Sequence, residues 1–130
     1  MGEEDQAARI LIADDSELIV DLIRAMLERS GFRSLFVAHT GKATLDKAQE
    51  VQPDLILLDV GMPDLDGYEV ARRLRAMAWT RRPRIIIQTG KDSPGESALA
   101  RDAGADDIIF KPLNRARLVE AVQRQLRTAR

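Results

Sequence analysis

Three aspartates, one threonine and one lysine are the residues of this 130-residue chain whose types and settings can do chemistry. Asp14-Asp15 follows the apolar run Ile10-Leu11-Ile12-Ala13, and Asp59 follows Leu55-Ile56-Leu57-Leu58. Thr89 ends the stretch opened by Ile85-Ile86-Ile87, and Lys111-Pro112 follows Ile108-Ile109-Phe110. Carboxylates crowded together repel one another, so such a set persists at neutral pH only with a cation between them or with raised pKa values. Oxygen ligands select a hard divalent ion, Mg2+ or Ca2+; few carboxylates, with room left for water and a phosphate, suit Mg2+ better. A carboxylate placed like Asp59 can also attack phosphorus and form an acyl phosphate, provided that a metal offsets the repulsion between two anions. Lys111 by charge and Thr89 by a hydrogen bond would then serve the other phosphoryl oxygens. Simpler roles stand beside these. Asp14-Asp15 could cap the helix beginning near Ser16, Thr89 could cap the turn after it, and Lys111 could be an ion-pair partner for the acids.

The elements that must position these groups follow from hydrophobic patterning. The short apolar runs Ile10-Leu11-Ile12-Ala13, Leu55-Ile56-Leu57-Leu58 and Ile85-Ile86-Ile87 are too continuous for half-exposed strands and too short for ordinary helices, so they read as strands buried on both faces. Leu35-Phe36-Val37-Ala38 and Ile108-Ile109-Phe110 complete a set of five. Leu18, Ile19, Leu22, Ile23, Met26 and Leu27 follow one face of a helix that Gly31 can end. Val70, Ala71, Leu74 and Met77 mark another, opened by Asp66 and Glu69 at capping-box spacing and blocked by Pro83. Leu118, Val119, Val122 and Leu126 define a last helix from near Asn114, while residues 42–51 and 96–103 have helical period with thinner apolar faces. Five strands alternating with five helices require right-handed crossovers and a parallel sheet covered on both faces, a doubly wound α/β fold. Ligands of such sheets bind outside the carboxyl ends of the strands, where all five chemical residues fall.

Composition bounds the rest. The length fits one domain over residues 1–130, with a core from about 8 to 128. Hydrophobic residues at 45% and charged residues at 32% are globular proportions. No apolar run approaches the roughly 18 residues of a membrane span, the acidic start lacks the features of a signal peptide, and there is no cysteine. A cytoplasmic setting without a membrane is the expectation. The net charge of −1 divides unevenly: residues 1–65 carry 13 acids against 6 bases, and residues 66–130 carry 8 against 14. The near-neutral total argues against direct nucleic-acid binding, whereas the basic half suits solvated helix faces or an acidic protein partner.

The chain resembles the receiver domain of two-component response regulators over nearly its whole length. The residues that carry the resemblance are Asp14-Asp15, Asp59 with Met62-Pro63 and Asp66-Gly67, Thr89-Gly90, Gly104-Ala105-Asp106-Asp107, and Lys111-Pro112. The resemblance implies a flavodoxin-like fold with a five-stranded sheet in the order 2-1-3-4-5. It implies that Asp59 accepts a phosphoryl group from the phosphohistidine of a sensor histidine kinase or histidine phosphotransfer protein. It further implies Mg2+ on Asp14, Asp15, Asp59 and the Gly61 carbonyl, with Thr89 and Lys111 responding to phosphorylation, and a cis Lys111-Pro112 bond. Such a module catalyses its own phosphotransfer and autodephosphorylation, and signals by switching protein contacts.

Receivers commonly place an aromatic residue three positions before the lysine, where this chain has Ile108. Phe110 shares the side of Ile108 but stands next to the active-site end. The signal is therefore expected to pass through the loop after Thr89 and its helix, with a downstream protein partner meeting residues 91–118, including Arg101, Arg115 and Arg117. Two rival readings use similar parts. An aspartate-nucleophile phosphatase normally has a second acid two residues after the nucleophile, where Gly61 stands here. A flavin-binding module of the same topology needs a phosphate loop after the first strand, where Asp14-Asp15 would repel phosphate. His39, the only histidine, reads as inert; Tyr68 and Trp79 read as partly exposed packing residues. Asp64 and Asp66 form only fragments of a calcium loop.

Overall fold

The apolar runs are strands, and their order brings the acids together. In the computed structural model, which describes residues 2–91 and 93–128, β1 (Arg9–Ala13), β2 (Ser34–Ala38), β3 (Leu55–Asp59), β4 (Arg84–Thr89) and β5 (Asp107–Phe110) form one sheet. All pairings are parallel and the order is β2-β1-β3-β4-β5, as the resemblance implies. Around the sheet run α1 (Glu3–Ala7), α2 (Glu17–Arg29), α3 (Gly41–Val51), α4 (Gly67–Ala76), α5 (Gly95–Asp102) and α6 (Arg115–Thr128).

Alternate residues of the central strands feed two cores. Ile10, Ile12, Leu55, Leu57 and Ile86 pack with Val20, Ile23 and Leu27 of α2 and with Leu118, Val122 and Leu126 of α6. Leu11, Ile56, Leu58, Ile85 and Ile87 pack on the other face with Ala48 of α3, Val70, Ala71 and Leu74 of α4, and Ala100 of α5. Each fully buried Leu or Ile contributes about 1.5–3 kcal/mol, which is why polar residues are confined to the ends of these strands. The edge strands β2 and β5 are only half covered.

Helix ends follow local chemistry. Ser16, and neither aspartate before it, caps α2 by accepting from Ile19 N–H, and Gly31 (φ 98°) turns the chain after it. Asp66 caps α4 by accepting from Glu69 N–H at 2.9 Å. The capping box is only half formed, because the Glu69 carboxylate turns instead to Arg72 and Arg73. The number of helices differs from the sequence reading, which has five: α1 is a sixth. Its five residues have no apolar period, and a tertiary contact, Arg33 N–H to the Gln6 carbonyl at 3.2 Å, ties it to the start of β2.

Asp106 anchors the opposite end of the sheet. Its carboxylate accepts from Arg75 Nη2 at 2.6 Å and from Ile85 N–H at 2.8 Å, and Arg84 and Arg82 lie 3.5 and 3.8 Å away. Arg75 also bonds the carbonyls of Gly104 and Pro83. Burial lowers the Arg75 pKa against the support of Asp106. One guanidinium thus joins α4, β4 and β5 at the edge away from the acids.

Candidate functional site

Because β1 and β3 are neighbours and end level with one another, Asp14 and Asp59 come side by side. Both are buried, at 1% and 6% exposure, and Asp15 beside them is exposed. One carboxylate oxygen from each of Asp14, Asp15 and Asp59 lies within 4.8 Å of the others. From β5 the Lys111 ammonium reaches across β4 to within 2.8 Å of Asp59 Oδ1 and 3.4 Å of Asp14 Oδ2. The Lys111-Pro112 peptide is cis.

Backbone donors fix the other oxygens. Ser16 N–H donates to Asp14 Oδ1 at 2.9 Å, and Gly61 N–H donates to Asp59 Oδ2 at 3.1 Å. Burial raises the Asp14 pKa, opposed by the Ser16 bond and seconded by the Asp59 charge, while Lys111 lowers it. Burial works against the Lys111 ammonium, but the bond to Asp59 and the charges of Asp59 and Asp14 outweigh it, so its pKa lies above the ordinary lysine value. The donor set is all oxygen, compact and open on the Asp15 side, which fits a hard divalent cation that keeps some of its water.

Thr89 closes β4 and is 3% exposed. Its hydroxyl oxygen accepts from Lys91 N–H at 3.1 Å, so the turn-capping role is real, and its carbonyl accepts from Lys111 N–H at 2.8 Å. The ion-pair role of Lys111 is real too. Neither contact takes these side chains away from the carboxyl edge.

The loop after Asp59 is held by two backbone bonds, Val60 N–H to the Gln88 carbonyl and Gly67 N–H to the Val60 carbonyl. Gly67 passes so close that a Cβ there would overlap the Asp59 carbonyl oxygen and lie 2.8 Å from Val60 Cα. The Asp59-to-Gly67 spacing therefore needs glycine for want of room. Asp64 is no calcium ligand in waiting: its carboxylate accepts from Gly41, Lys42 and Leu65 N–H groups, and the Lys42 and Gly41 bonds in particular lower its pKa.

Other aromatic and polar residues have positions the sequence left open. His39 is exposed, and its Nδ1 lies 3.0 Å from the Asp14 carbonyl, a bond that the Nδ1–H tautomer makes. Trp79 Nε1 donates to the Leu74 carbonyl at 2.8 Å. Tyr68 does more than pack: its hydroxyl donates to Glu96 Oε1 at 2.7 Å. Ile108 packs onto the core shared with α4 and α5, whereas Phe110 is 40% exposed, in register with Thr89. Sequence reasoning passed over Gln88, whose side chain is fully buried with neither amide atom bonded. A polar residue directly after Ile85-Ile86-Ile87 was the available signal.

Comparison with known proteins agrees with this fold. Residues 10–123 match the response regulator receiver domain family. The chain is 42% identical over 106 residues to the alkaline phosphatase synthesis transcriptional regulatory protein PhoP of Bacillus subtilis (strain 168), covering 82% of this chain and 43% of that protein. It thus spans less than half the length of this curated relative. Among solved structures, it is similar to the chemotaxis protein CheY4 of Vibrio cholerae, with a TM-score of 0.84 and 30% identity over 91% of this chain and 98% of that one. The signal receiver domain of a signal transduction histidine kinase from Syntrophus aciditrophicus gives 0.84 and 31%, over 94% and 92%. These likenesses give no support to the phosphatase or flavin readings. Among the described residues no helix is long and apolar enough to cross a membrane.

Proposed function

Because this chain belongs to the response regulator receiver domain family and so serves phosphorylation-activated signalling, we propose that Asp59 is its phosphoacceptor. The observation that carries this is the buried Asp59 carboxylate, 2.8 Å from a lysine ammonium and within 4.8 Å of two further carboxylates. A carboxylate oxygen of Asp59 attacks the phosphorus of a phosphohistidine on a sensor histidine kinase or histidine phosphotransfer protein. A P–O bond forms, the P–N bond breaks, and the leaving imidazole keeps its electron pair and takes up a proton. Asp14, Asp15, Asp59 and the Gly61 carbonyl would hold Mg2+, which supplies charge to offset the repulsion between the two anions.

The chain's own residues do the remainder. Gly61 N–H and Lys111 keep the two Asp59 oxygens oriented before transfer, and Lys111 neutralises charge on the phosphoryl oxygens afterwards. The phosphorylated carboxylate carries roughly −1.5 to −2 charges and draws the Thr89 hydroxyl toward it, away from the Lys91 N–H. The turn after Thr89 then changes its preferred state. A downstream protein partner meets residues 91–118, of which Asp92 lies outside the described residues, and slow attack by water on the acyl phosphate resets the switch. The donor implies a cytoplasmic setting. The relative PhoP is by name a transcriptional regulatory protein, and this chain covers less than half of it; the partner contact proposed for the present domain is with protein and involves no direct binding of nucleic acid.

Incubation with acetyl phosphate and Mg2+, read by intact mass, tests the reading. One added phosphoryl group that disappears in Asp59→Asn supports it, and an unmodified wild-type mass rejects it.

A further inference from the structure

The sheet places four polar side chains on one face at its carboxyl edge, with Lys111 one same-face step beyond the level of Gln88. Alternate residues share a face, so Asp14 continues the face of Ile10 and Ile12, Asp59 that of Leu55 and Leu57, Gln88 that of Ile86, and Lys111 that of Ile109. In sheet order the four read Asp14, Asp59, Gln88, Lys111. Gln88 lies in register between Asp59 on β3 and Ile109 on β5, one strand from Asp59 and on the strand that separates β5, which leads into Lys111, from Asp59. Its backbone is fixed, because its carbonyl accepts from Val60 N–H.

Asp14, Asp59 and Lys111 bond to one another or to backbone groups. Gln88 does not: its side chain is wholly buried, with neither the amide nitrogen nor the amide oxygen bonded. A buried amide left unpaired destabilises the state that leaves it so, and therefore favours any state that supplies a partner. The cation on this face is the Lys111 ammonium, which has three N–H donors and is shared here between Asp59 and Asp14.

We infer that Gln88 is a positioning residue for the phosphorylated state. When charge moves from the Asp59 carboxylate to the phosphoryl oxygens, the ammonium leaves Asp59 Oδ1 for a phosphoryl oxygen. Its three donors then suit three acceptors: that oxygen, Asp14 and the Gln88 carboxamide oxygen. Gln88 so biases the equilibrium toward the phosphorylated arrangement by being unpaired in the other one. The inference rests on Asp59 as phosphoacceptor.

The test uses the whole chain, labelled with 15N and titrated with beryllium fluoride and Mg2+ as a phosphoryl mimic. The side-chain amide resonances of Gln88 are expected to move on saturation. Gln88→Leu, apolar and of similar bulk, is expected to melt at a higher temperature without the mimic and to bind the mimic about two- to tenfold more weakly, the effect of one lost hydrogen bond. Its Mg2+ affinity should equal that of the wild type. Stationary Gln88 resonances, or a Gln88→Leu chain that binds the mimic as tightly as wild type, would overturn the inference. If Gln88→Leu does not fold, Gln88→Met replaces it, and the wild-type resonances decide by themselves. A wild-type chain that neither binds the mimic nor gains mass from acetyl phosphate overturns the phosphoacceptor reading and this inference with it.

Discussion

Tyr68 and Glu96 are joined by a 2.7 Å hydrogen bond that ties the helix following the Asp59 loop to the helix following Thr89. Glu96 is 8% exposed and its other oxygen lies 3.5 Å from Ser93 Oγ, so the phenol is its short-range partner. Burial and the Glu96 carboxylate push the Tyr68 pKa well above the ordinary phenol value.

Tyr68→Phe should therefore loosen α5 selectively. The variant leaves a buried carboxylate without its donor, a loss of about 1–3 kcal/mol that falls on a helix whose buried face is only Glu96 and Ala100. Amide exchange across residues 95–102 is expected to speed up while β1 and β3 keep wild-type protection. Uniform acceleration over the whole chain would show instead that the bond supports global stability.

Asp59→Asn should abolish phosphoryl uptake and leave the fold intact. The amide has nearly the shape of the carboxylate but is a poor nucleophile, and its oxygen can still accept from Lys111. Removing one of three crowded charges also relieves repulsion at Asp14. Intact mass after acetyl phosphate should show no adduct, with a melting temperature equal to or above that of the wild type.

Asp15→Ala should weaken Mg2+ binding by about tenfold or more, roughly 1.4 kcal/mol, without cost to the fold. Asp15 is exposed, and the helix cap belongs to Ser16, so the variant removes a proposed ligand and not the cap of α2. A metal titration showing wild-type affinity would remove Asp15 from the ligand set.

The central strands were legible because burial on both faces leaves an uninterrupted apolar run, and the acids were legible because they end those runs. The helices α2, α4 and α6 announced themselves through wide apolar stripes. α1 did not, since a contact with Arg33 and no periodicity of its own holds it. Neither did the link from Tyr68 to Glu96, which joins residues 28 positions apart that share no local pattern. Asp64 reads in the sequence only as a fragment of a calcium loop, and its actual role, accepting from the Gly41 and Lys42 N–H groups at the start of α3, joins residues more than twenty positions apart that share no local pattern. Gln88 stood in plain view at the end of an apolar run, but its lack of a partner is a property of the packed state.

Arg75→Met should destabilise the chain without touching the acid cluster. The Arg75 and Asp106 side chains are each 13% exposed, and breaking a buried pair costs roughly 3–5 kcal/mol. Arg84 and Arg82 stay near Asp106 and should hold the loss to the lower end of that range. Denaturant unfolding should register the loss, while Mg2+ affinity in the folded protein remains that of the wild type.

Gly67→Ala tests whether the backbone at Asp59 is set by close approach. An alanine Cβ would press on the Asp59 carbonyl and would lie 2.8 Å from Val60 Cα and 2.9 Å from the Asp59 carbonyl carbon, all of them backbone atoms with no rotamer to escape into. The strain must move either α4 or the end of β3. α4 is anchored by Val70, Ala71 and Leu74 in the core, and the end of β3 is anchored by its ladder to β4, so neither yields freely. A loss of about 1–3 kcal/mol is expected, as for other overpacked sites. Because the same shift displaces Asp59 from Lys111 and Gly61, phosphorylation by acetyl phosphate should slow in the fraction that remains folded. Gly61→Ala is the control: its Cβ would meet only Asp59 Oδ2, at an ordinary 3.7 Å, so stability should be retained. Equal stability in the two variants would show that the loop, and not the glycine, sets the position of Asp59.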